Sequence, residues 1–399
     1  MQVFEWLRLH IKYDTPPPVF ASELKTYINY YNLDLRTLLY TLADIPQSLV
    51  PFAMDQGACD HVVDALLRNG ASPNLNPAEM GGATECFMPV QQAIWQNKPQ
   101  LLQRLIAANG DPNICLFDGQ NALHVAAMIG SAEMASILVP HMNDIDAEYE
   151  FVGMTALGLL IRGVQVTDRF RFSQEQRMEC FKLLLQAGAS PLKGRKPTVD
   201  ALFIHRGCYR ALELCLQHGL DPSCIKYPDQ SMTLLTGVVH GGWFDSFLLL
   251  LDAGLRPTEE EVATITSDGL QGFVAMSILA TCTERVEAPP RVHDGTTALH
   301  VAADLVSHRA VRRLLDHGHF VDAHDERGDT PLVYVMRQQD RQVNRNDPSW
   351  EPYRETIRTL LAYGAAISPI VFEFDDGGCL ISAIAELRRA GYAKRRAPI

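Results

Sequence analysis

Several features that mark known protein classes are missing from this sequence. No apolar run reaches the length of about 18 residues that a membrane-spanning helix needs. The first residues, MQVFEWLRLHIKYD, lack the basic-then-apolar order of a signal peptide. The nine cysteines are odd in number and show no CxxC spacing, and no Asn-x-Ser/Thr acceptor is present. We therefore predict an intracellular protein, in the cytoplasm and nucleus, whose thiols are reduced and mostly buried.

Charge and motifs exclude further classes. The formal net charge is −12, which opposes general binding to nucleic acid or to an anionic membrane. The motifs GxGxxG, GKS/T, HExxH, DxDxDG and GxSxG are all absent, so no cofactor, metal ion or catalytic group is predicted. With 47% hydrophobic residues, the 399-residue chain has enough apolar side chains for a large folded core.

What the sequence contains is a repeat. NALHVAAMIG from Asn121 and TALHVAA from Thr297 follow the same pattern. The differences 121 − 88 and 330 − 297 are both 33 residues, and 233 − 198 is 35 residues, so the period is nearly constant. Equivalent positions are Met88, Asn121, Thr155, Thr198, Thr233, Thr297 and Thr330.

Each repeat predicts two antiparallel helices. Pro331 suits the first turn of a helix, where a missing N–H costs nothing. Ala126 and Ala127 are small enough for a neighbouring helix to approach closely, and Gly130 and Gly207 suit the end of a first helix. The second helices carry leucines at helical spacing and end at five further glycines: Gly188, Gly219, Gly254, Gly318 and Gly364. One such pair cannot bury its apolar face alone, so the pairs must stack.

This pattern resembles the ankyrin repeat, whose signature is TPLHxAAxxG followed by LLxxGAxxN. The chain departs from the signature histidine with Gln91, Gly158 and Val333, but it retains His124 and His300. The resemblance implies that these two histidines form hydrogen bonds at the start of a helix. It also implies a concave face built from the hairpins and from the exposed side of each first helix.

The predicted fold is an all-α ankyrin-repeat solenoid of about eight or nine units with helical end caps. Residues 1–45 are predicted to form an N-terminal cap, with a helix-like run from Ser22 to Asp44. The basic residues near the C-terminus favour the end of a last helix, with a nuclear-import signal as the alternative. The remaining boundaries are a repeat array at 46–368, insertions near 162–178 and 339–352, a degenerate unit at 258–290, and a capping helix with a basic tail at 369–399.

Counting along each first helix predicts which side chains face the groove. The row is apolar and aromatic early and basic in its middle, which suggests a protein partner that is acidic or phosphorylated and carries an apolar anchor. Intrachain acids on Asp144, Asp146, Glu148 or Glu150 are the alternative partners of the basic groups. The predicted groove residues are Trp95, Gln96, Met128, Ile129, Arg162, His205, Arg206, His240, Asp304, Tyr334 and Arg337.

The leading functional hypothesis is a monomeric, non-enzymatic scaffold that binds a protein segment in this groove. One alternative is an adaptor that brings a substrate to a larger complex, such as a ubiquitin ligase, through its terminal segment. The other is an atypical enzyme that uses His205, Arg206 and His240 together with an acid or the first insertion.

Overall fold

The computed structural model describes most of the chain, with gaps. The described residues are 2–31, 33, 39–42, 45–74, 88–116, 119–162, 174–201, 209–225, 232–282, 294–341 and 350–367. They divide into two compact units, residues 1–198 and residues 199–399. No helix among these residues is both long and apolar enough to cross a membrane.

The described residues of unit 1 form five helix pairs and two short hairpins. Its first helices are α1 (Gln2–Lys12), α3 (Leu49–Asp55), α5 (Pro89–Trp95), α7 (Ala122–Ile129) and α9 (Ala156–Arg162). Its second helices are α2 (Pro17–Tyr31), α4 (Asp60–Arg68), α6 (Pro99–Ala107), α8 (Ala132–Leu138) and α10 (Gln174–Gln186). The antiparallel hairpins are β1 (Leu39–Leu42) with β2 (Ile45–Ser48) and β3 (Glu148–Tyr149) with β4 (Met154–Thr155).

The pairs of unit 1 stack in two rows. First helices contact first helices from α1 to α9, and second helices contact second helices from α2 to α10. The rings of Phe4 on α1 and Phe52 on α3 meet edge to face, 5.1 Å between centroids, and both are 1% exposed. Burying each such side chain contributes about 2–3 kcal/mol to folding. The N-terminal segment is thus a helix pair of the same stack.

One predicted helix in this segment is wrong. A helix-like run was expected from Ser22 to Asp44, but α2 begins at Pro17, ends at Tyr31, and is followed by the strand β1. Proline fits the first turn of a helix because its fixed φ and missing N–H are compatible there, so the triple proline starts α2 instead of preceding it.

In unit 2, five helix pairs lie within the described residues. They are α11 (Thr198–Ala201), which starts on the last residue of unit 1, with α12 (Tyr209–Gln217); α13 (Leu234–His240) with α14 (Phe244–Asp252); α15 (Glu259–Thr266) with α16 (Gly269–Cys282); α17 (Ala298–Asp304) with α18 (His308–Asp316); and α19 (Pro331–Arg341) with α20 (Trp350–Ala362).

The degenerate unit expected at 258–290 is the pair α15 and α16, and it departs from the two-row pattern. Helix α16 contacts α13, α17 and α18, whereas α14 packs directly against α18. Asp245 on α14, only 7% exposed, accepts hydrogen bonds from Ser307 Oγ at 2.6 Å and from the Arg309 N–H at 2.9 Å. His308 Nδ1 lies 3.2 Å from the same carboxylate. Asp245 therefore caps the start of α18 from another helix and joins α14 to α18 past the degenerate pair.

The repeat starts and stops agree with the sequence pattern. A helix begins at, or one residue after, each of the seven predicted start positions. The glycines expected to end the second helices all adopt positive φ, between 86° and 102°. Gly130 does so after α7, at 82°, while Gly207 lies outside the described residues. Only glycine adopts this conformation without a steric penalty, which explains why the repeats have glycine at this position.

The expected insertions are shorter than predicted where they are described. Helix α10 already begins at Gln174. Helix α19 continues to Arg341, and helix α20 begins at Trp350. The remaining residues, 163–173 and 342–349, lie outside the described residues, as does the predicted cap and basic tail at 369–399.

Cysteine burial differs from expectation. Among the six described cysteines, Cys180 and Cys215 are buried, Cys282 is intermediate, and Cys59, Cys115 and Cys224 are exposed. All six are free thiols, but "mostly buried" is wrong for this part of the chain. Burial raises the pKa of both Cys180 and Cys215 to about 12.

One side chain of a first helix links consecutive repeats. The Asn121 N–H donates to His124 Nδ1 at 3.1 Å, and His124 Nε2 bonds the Ala147 carbonyl at 2.9 Å. His300 joins the Thr297 N–H to the Asp329 carbonyl in the same way, both at 3.1 Å. The hydrogen-bonding role implied for the two histidines is confirmed.

Gln91 takes the place of histidine in this link. Its Oε1 accepts from the Met88 N–H at 3.3 Å, and its Nε2 donates to the Gln120 carbonyl at 3.0 Å. An amide offers the same acceptor and donor as a neutral imidazole, so the departure from the signature keeps the link.

We expect the link at His300 to make unit 2 sensitive to acid. Burial removes water from the His300 ring and lowers its pKa below the ordinary value of about 6.5, although the hydrogen bond to the Asp329 carbonyl and the nearby Asp325 carboxylate act in the opposite direction. As pH falls below about 6.5 the unfolded chain binds a proton that the folded chain does not, so the free energy of unfolding decreases. His300→Gln keeps both hydrogen bonds, as Gln91 does, and should remove this part of the decrease in urea unfolding measured from pH 7.5 to 5. His317→Gln, at an exposed histidine of the same unit, is the control; equal pH dependence in both variants contradicts the account.

Candidate functional site

The candidate site, called the inner surface of unit 1, consists of the end of α5, at Trp95 and Gln96, and the hairpin β3–β4. Trp95 is the last residue of α5 and is half-buried, and Gln96, which caps the helix, is exposed. Gln96 is thus accessible to a partner and Trp95 is partly accessible, while the binding role of both stays a prediction. A half-buried aromatic side chain at the end of a helix is typical of an interface anchor.

The predicted exposure of Met128 and Ile129 is wrong. They are 9% and 2% exposed, and all eight residues of α7 are buried. Helix α7 packs against α5, α8 and α9, and the Gln120 side-chain amide donates to Met128 Sδ at 3.3 Å. Arg177 on α10 covers the end of α7 and donates to the Met128 carbonyl at 3.2 Å. These two apolar side chains belong to the core, not to an open groove.

Three predicted basic positions cannot be placed. Arg162 is the last residue of α9, but its side chain is outside the described set, and His205 and Arg206 lie wholly outside the described residues.

In unit 2, the described basic side chains of the predicted groove, His240 and Arg337, contact acids of the same chain. His240 Nδ1 lies 3.1 Å from Asp268 Oδ1, and both Arg337 guanidinium nitrogens bond Asp329, which is 5% exposed. The acids that pair with these two side chains are Asp268 and Asp329, whereas pairing of the 144–150 segment with Arg162, His205 or Arg206 stays a prediction outside the described residues. A guanidinium already engaged by two hydrogen bonds is a poorer receptor for a partner's phosphate.

Tyr334 is likewise held inside the chain. Its hydroxyl donates to Asp325 Oδ2 at 2.8 Å. Burial alone would raise the pKa of Asp325, but hydrogen bonds from the Asp329 N–H, this hydroxyl and the Arg327 N–H lower it overall. Asp304, at the end of α17, is half-buried. No group of three metal-binding side chains occurs among the residues that the structure describes.

Sequence reasoning missed the most exposed aromatic residue of the inner surface. Phe151, between strands β3 and β4, is 82% exposed. Its ring lies 6.4 Å from that of Tyr149, which in turn lies 5.7 Å from the His124 ring on α7. Glu148 pairs with Arg195 beside the hairpin. The available signal was an aromatic residue among acids in the segment EYEFVG, where a turn between strands is normally polar.

Comparison with known families identifies the repeats. A family model described as "Ankyrin repeats (3 copies)" matches residues 90–166, and one described as "Ankyrin repeat" matches residues 294–326. One match lies in each unit, and helix pairs of the kind described above occupy both. The fold and these matches define the chain as an ankyrin repeat protein.

Individual relatives match over limited lengths. "Ankyrin repeat domain-containing protein SAT10" of Stachybotrys chartarum is 35% identical over 129 residues, which are 32% of this chain and 6% of that protein. "NF-kappa-B inhibitor delta" of Mus musculus is 31% identical over 111 residues, 26% of this chain and 34% of that protein. The chain thus spans 6% and 34% of the lengths of these two relatives.

Two solved structures were also compared. The ankyrin repeat protein EF0377 covers 51% of this chain and 96% of its own, with 16% identity and a TM-score of 0.40. The ankyrin repeat domain of Bcl-3 covers 72% of this chain and 93% of its own, with 17% identity and a TM-score of 0.32.

Because α7 is buried, alanine substitutions at equivalent positions of two neighbouring repeats should lower the free energy of unfolding by different amounts. Ile129→Ala removes a buried side chain and should lower the free energy of unfolding by about 2–4 kcal/mol. Gln96→Ala, the equivalent position after α5, is exposed and should change it by less than about 0.5 kcal/mol. Urea unfolding followed by circular dichroism measures both. A loss below about 0.5 kcal/mol for Ile129→Ala would indicate that this side chain is exposed in the groove, and would contradict its burial.

Proposed function

We propose that this protein is an interaction scaffold that holds a segment of a partner protein on the inner surface of unit 1, with Trp95 and Phe151 as apolar anchors. The observation that carries the proposal is Phe151, an aromatic side chain 82% exposed on a hairpin within the residues that match ankyrin repeats. The name of the mouse relative, an inhibitor of NF-kappa-B, supports protein binding as the general function.

The partner is expected to supply an apolar or aromatic side chain rather than a phosphate. The cations described on the predicted groove of unit 2, His240 and Arg337, have intrachain acids, so an acidic or phosphorylated partner is favoured only by the undescribed side chains of Arg162, His205 and Arg206. Near Phe151 the Glu148 carboxylate is already paired with the Arg195 guanidinium. Apolar anchors on a rigid stack are therefore the main source of affinity in this proposal.

The test requires a partner identified by affinity purification from the source cells and then purified for direct titration. Trp95→Ala and Phe151→Ala should each weaken binding by about tenfold or more, because interface anchors of this type typically contribute over 1 kcal/mol. The thermal midpoint of Phe151→Ala should stay unchanged, since the side chain packs on little.

Phe320→Ala provides the matched control. Phe320 is also an exposed aromatic residue, 70% accessible, but it lies in unit 2. Affinity lost equally in Phe320→Ala and Phe151→Ala would contradict an assignment to unit 1, and full affinity in both Trp95→Ala and Phe151→Ala would contradict the inner surface as the binding site.

A further inference from the structure

One arginine of unit 1 lies over the ends of two first helices and meets no carboxylate among the described residues. Arg177, near the start of α10, is half-buried; its Nη2 donates to the Met128 carbonyl at 3.2 Å and its Nη1 to the Leu160 carbonyl at 3.5 Å. The nearest acids along α10, Glu175 and Glu179, are exposed, and side chains two positions apart on a helix do not face each other. The positive charge of Arg177 is therefore held by neutral groups alone in the part of the chain that the structure describes.

The turn after α7 has room for this side chain because it contains glycine. Gly130 ends α7 with φ at 82°, and a Cβ added there would lie 2.6 Å from Arg177 Cγ. The stem of the arginine thus rests directly on the backbone of the turn. A side chain that is already held in place loses little conformational entropy when a partner binds to it. Arg177 lies on a second helix, so counting along the first helices did not include it among the predicted groove residues.

Two backbone carbonyls leave most of the capacity of this guanidinium unused. Burial disfavours the charged form and lowers the pKa of Arg177, but an arginine side chain stays protonated at neutral pH. The two hydrogen bonds use two of its five N–H donors. The carbonyls at the end of a helix carry only about half an elementary charge. A carboxylate would supply the missing negative charge and can accept two hydrogen bonds from one guanidinium.

Arg177 lies one repeat away from the proposed anchor Trp95. Met128 occupies the position in α7 that Trp95 occupies in α5, since 128 − 121 and 95 − 88 are both 7, and α5 packs against α7. Packed helices lie about 8–10 Å apart, so the guanidinium on the Met128 carbonyl is on the order of 10 Å from Trp95. An extended segment advances about 3.3 Å per residue and therefore covers this distance in about three residues.

We propose that Arg177 binds the side-chain carboxylate of an Asp or Glu residue in the partner segment, about three residues from the side chain that packs on Trp95. This inference rests on the proposed function, because it specifies the charge of the segment that the inner surface of unit 1 holds. The single charge of the guanidinium equals that of a carboxylate, whereas a phosphate group carries nearly two.

Selection from a random linear peptide library displayed on phage, with the full chain as bait, tests the proposal. Peptides selected on the wild type should share a large apolar residue and, about three positions away, Asp or Glu. Peptides selected on Arg177→Gln should keep the apolar residue and lose the acid. Lys182→Gln makes the same change of charge at an exposed position of α10 and is the control; its peptides should keep the acid.

The selection separates failure of this inference from failure of the proposed function. Peptides that Trp95→Ala weakens but that carry no common acid overturn the role of Arg177 and leave the inner surface as the binding site. A selection that yields no peptide weakened by Trp95→Ala contradicts the proposed function itself, and the role of Arg177 with it.

Titration of one selected peptide separates the charge of Arg177 from its contacts with α7 and α9. The peptide is compared with a copy in which the acid is replaced by its amide, Glu by Gln or Asp by Asn. The wild type should bind the acidic form about tenfold more tightly or better, and Arg177→Gln should bind both forms equally. The amide form should bind Arg177→Gln as tightly as it binds the wild type. Weaker binding of the amide form to the variant would assign Arg177 a purely structural role and overturn the proposal, as would equal binding of both forms to the wild type.

Discussion

The structure depends on a polar link between consecutive repeats. Helices of seven or eight residues are too short to be stable alone, and their first N–H groups need acceptors. Gln91, His124 and His300 meet both needs, because each accepts a hydrogen bond from the start of its own helix and binds a carbonyl before the next first helix. At these three positions one side chain both caps a helix and fixes the next repeat, while burial of the apolar side chains along the helix rows drives the stacking.

Helix α13 lacks this polar link, and other contacts connect the repeats there. At the equivalent position, Thr236 hydrogen-bonds to Thr233 at the start of its own helix and to no other side chain or carbonyl within the part of the chain that the structure describes. In this same region the degenerate pair leaves the row, and Asp245 connects α14 to α18 instead. The buried carboxylate is tolerated there because the N-terminus of α18 supplies donors to it. The binding proposal relies on the more regular unit 1, where the stack holds the hairpin and the end of α5 in fixed positions.

The repeat could be predicted from the sequence because its signals are local. Glycines such as Gly188 and Gly254 mark a backbone conformation, and His124 and His300 mark a helix start, whatever surrounds them. The site was harder to predict, because exposure depends on the neighbours of each helix. Met128 and Ile129 occupy positions that counting along the helix makes exposed, yet α7 is enclosed on several sides. The sequence also does not predict that Arg337 pairs with Asp329 or that Phe151 is exposed, because both depend on the conformation of the turns.

The central claim is that a partner occupies the inner surface of unit 1. Hydrogen–deuterium exchange of the full chain, with and without the purified partner, tests it most directly. The account predicts that amide exchange slows in residues 88–97 and 147–155, which contain Trp95 and Phe151, while it stays unchanged in α18 and α20. Protection confined to unit 2, or to α2, with no change in those two segments, would contradict it.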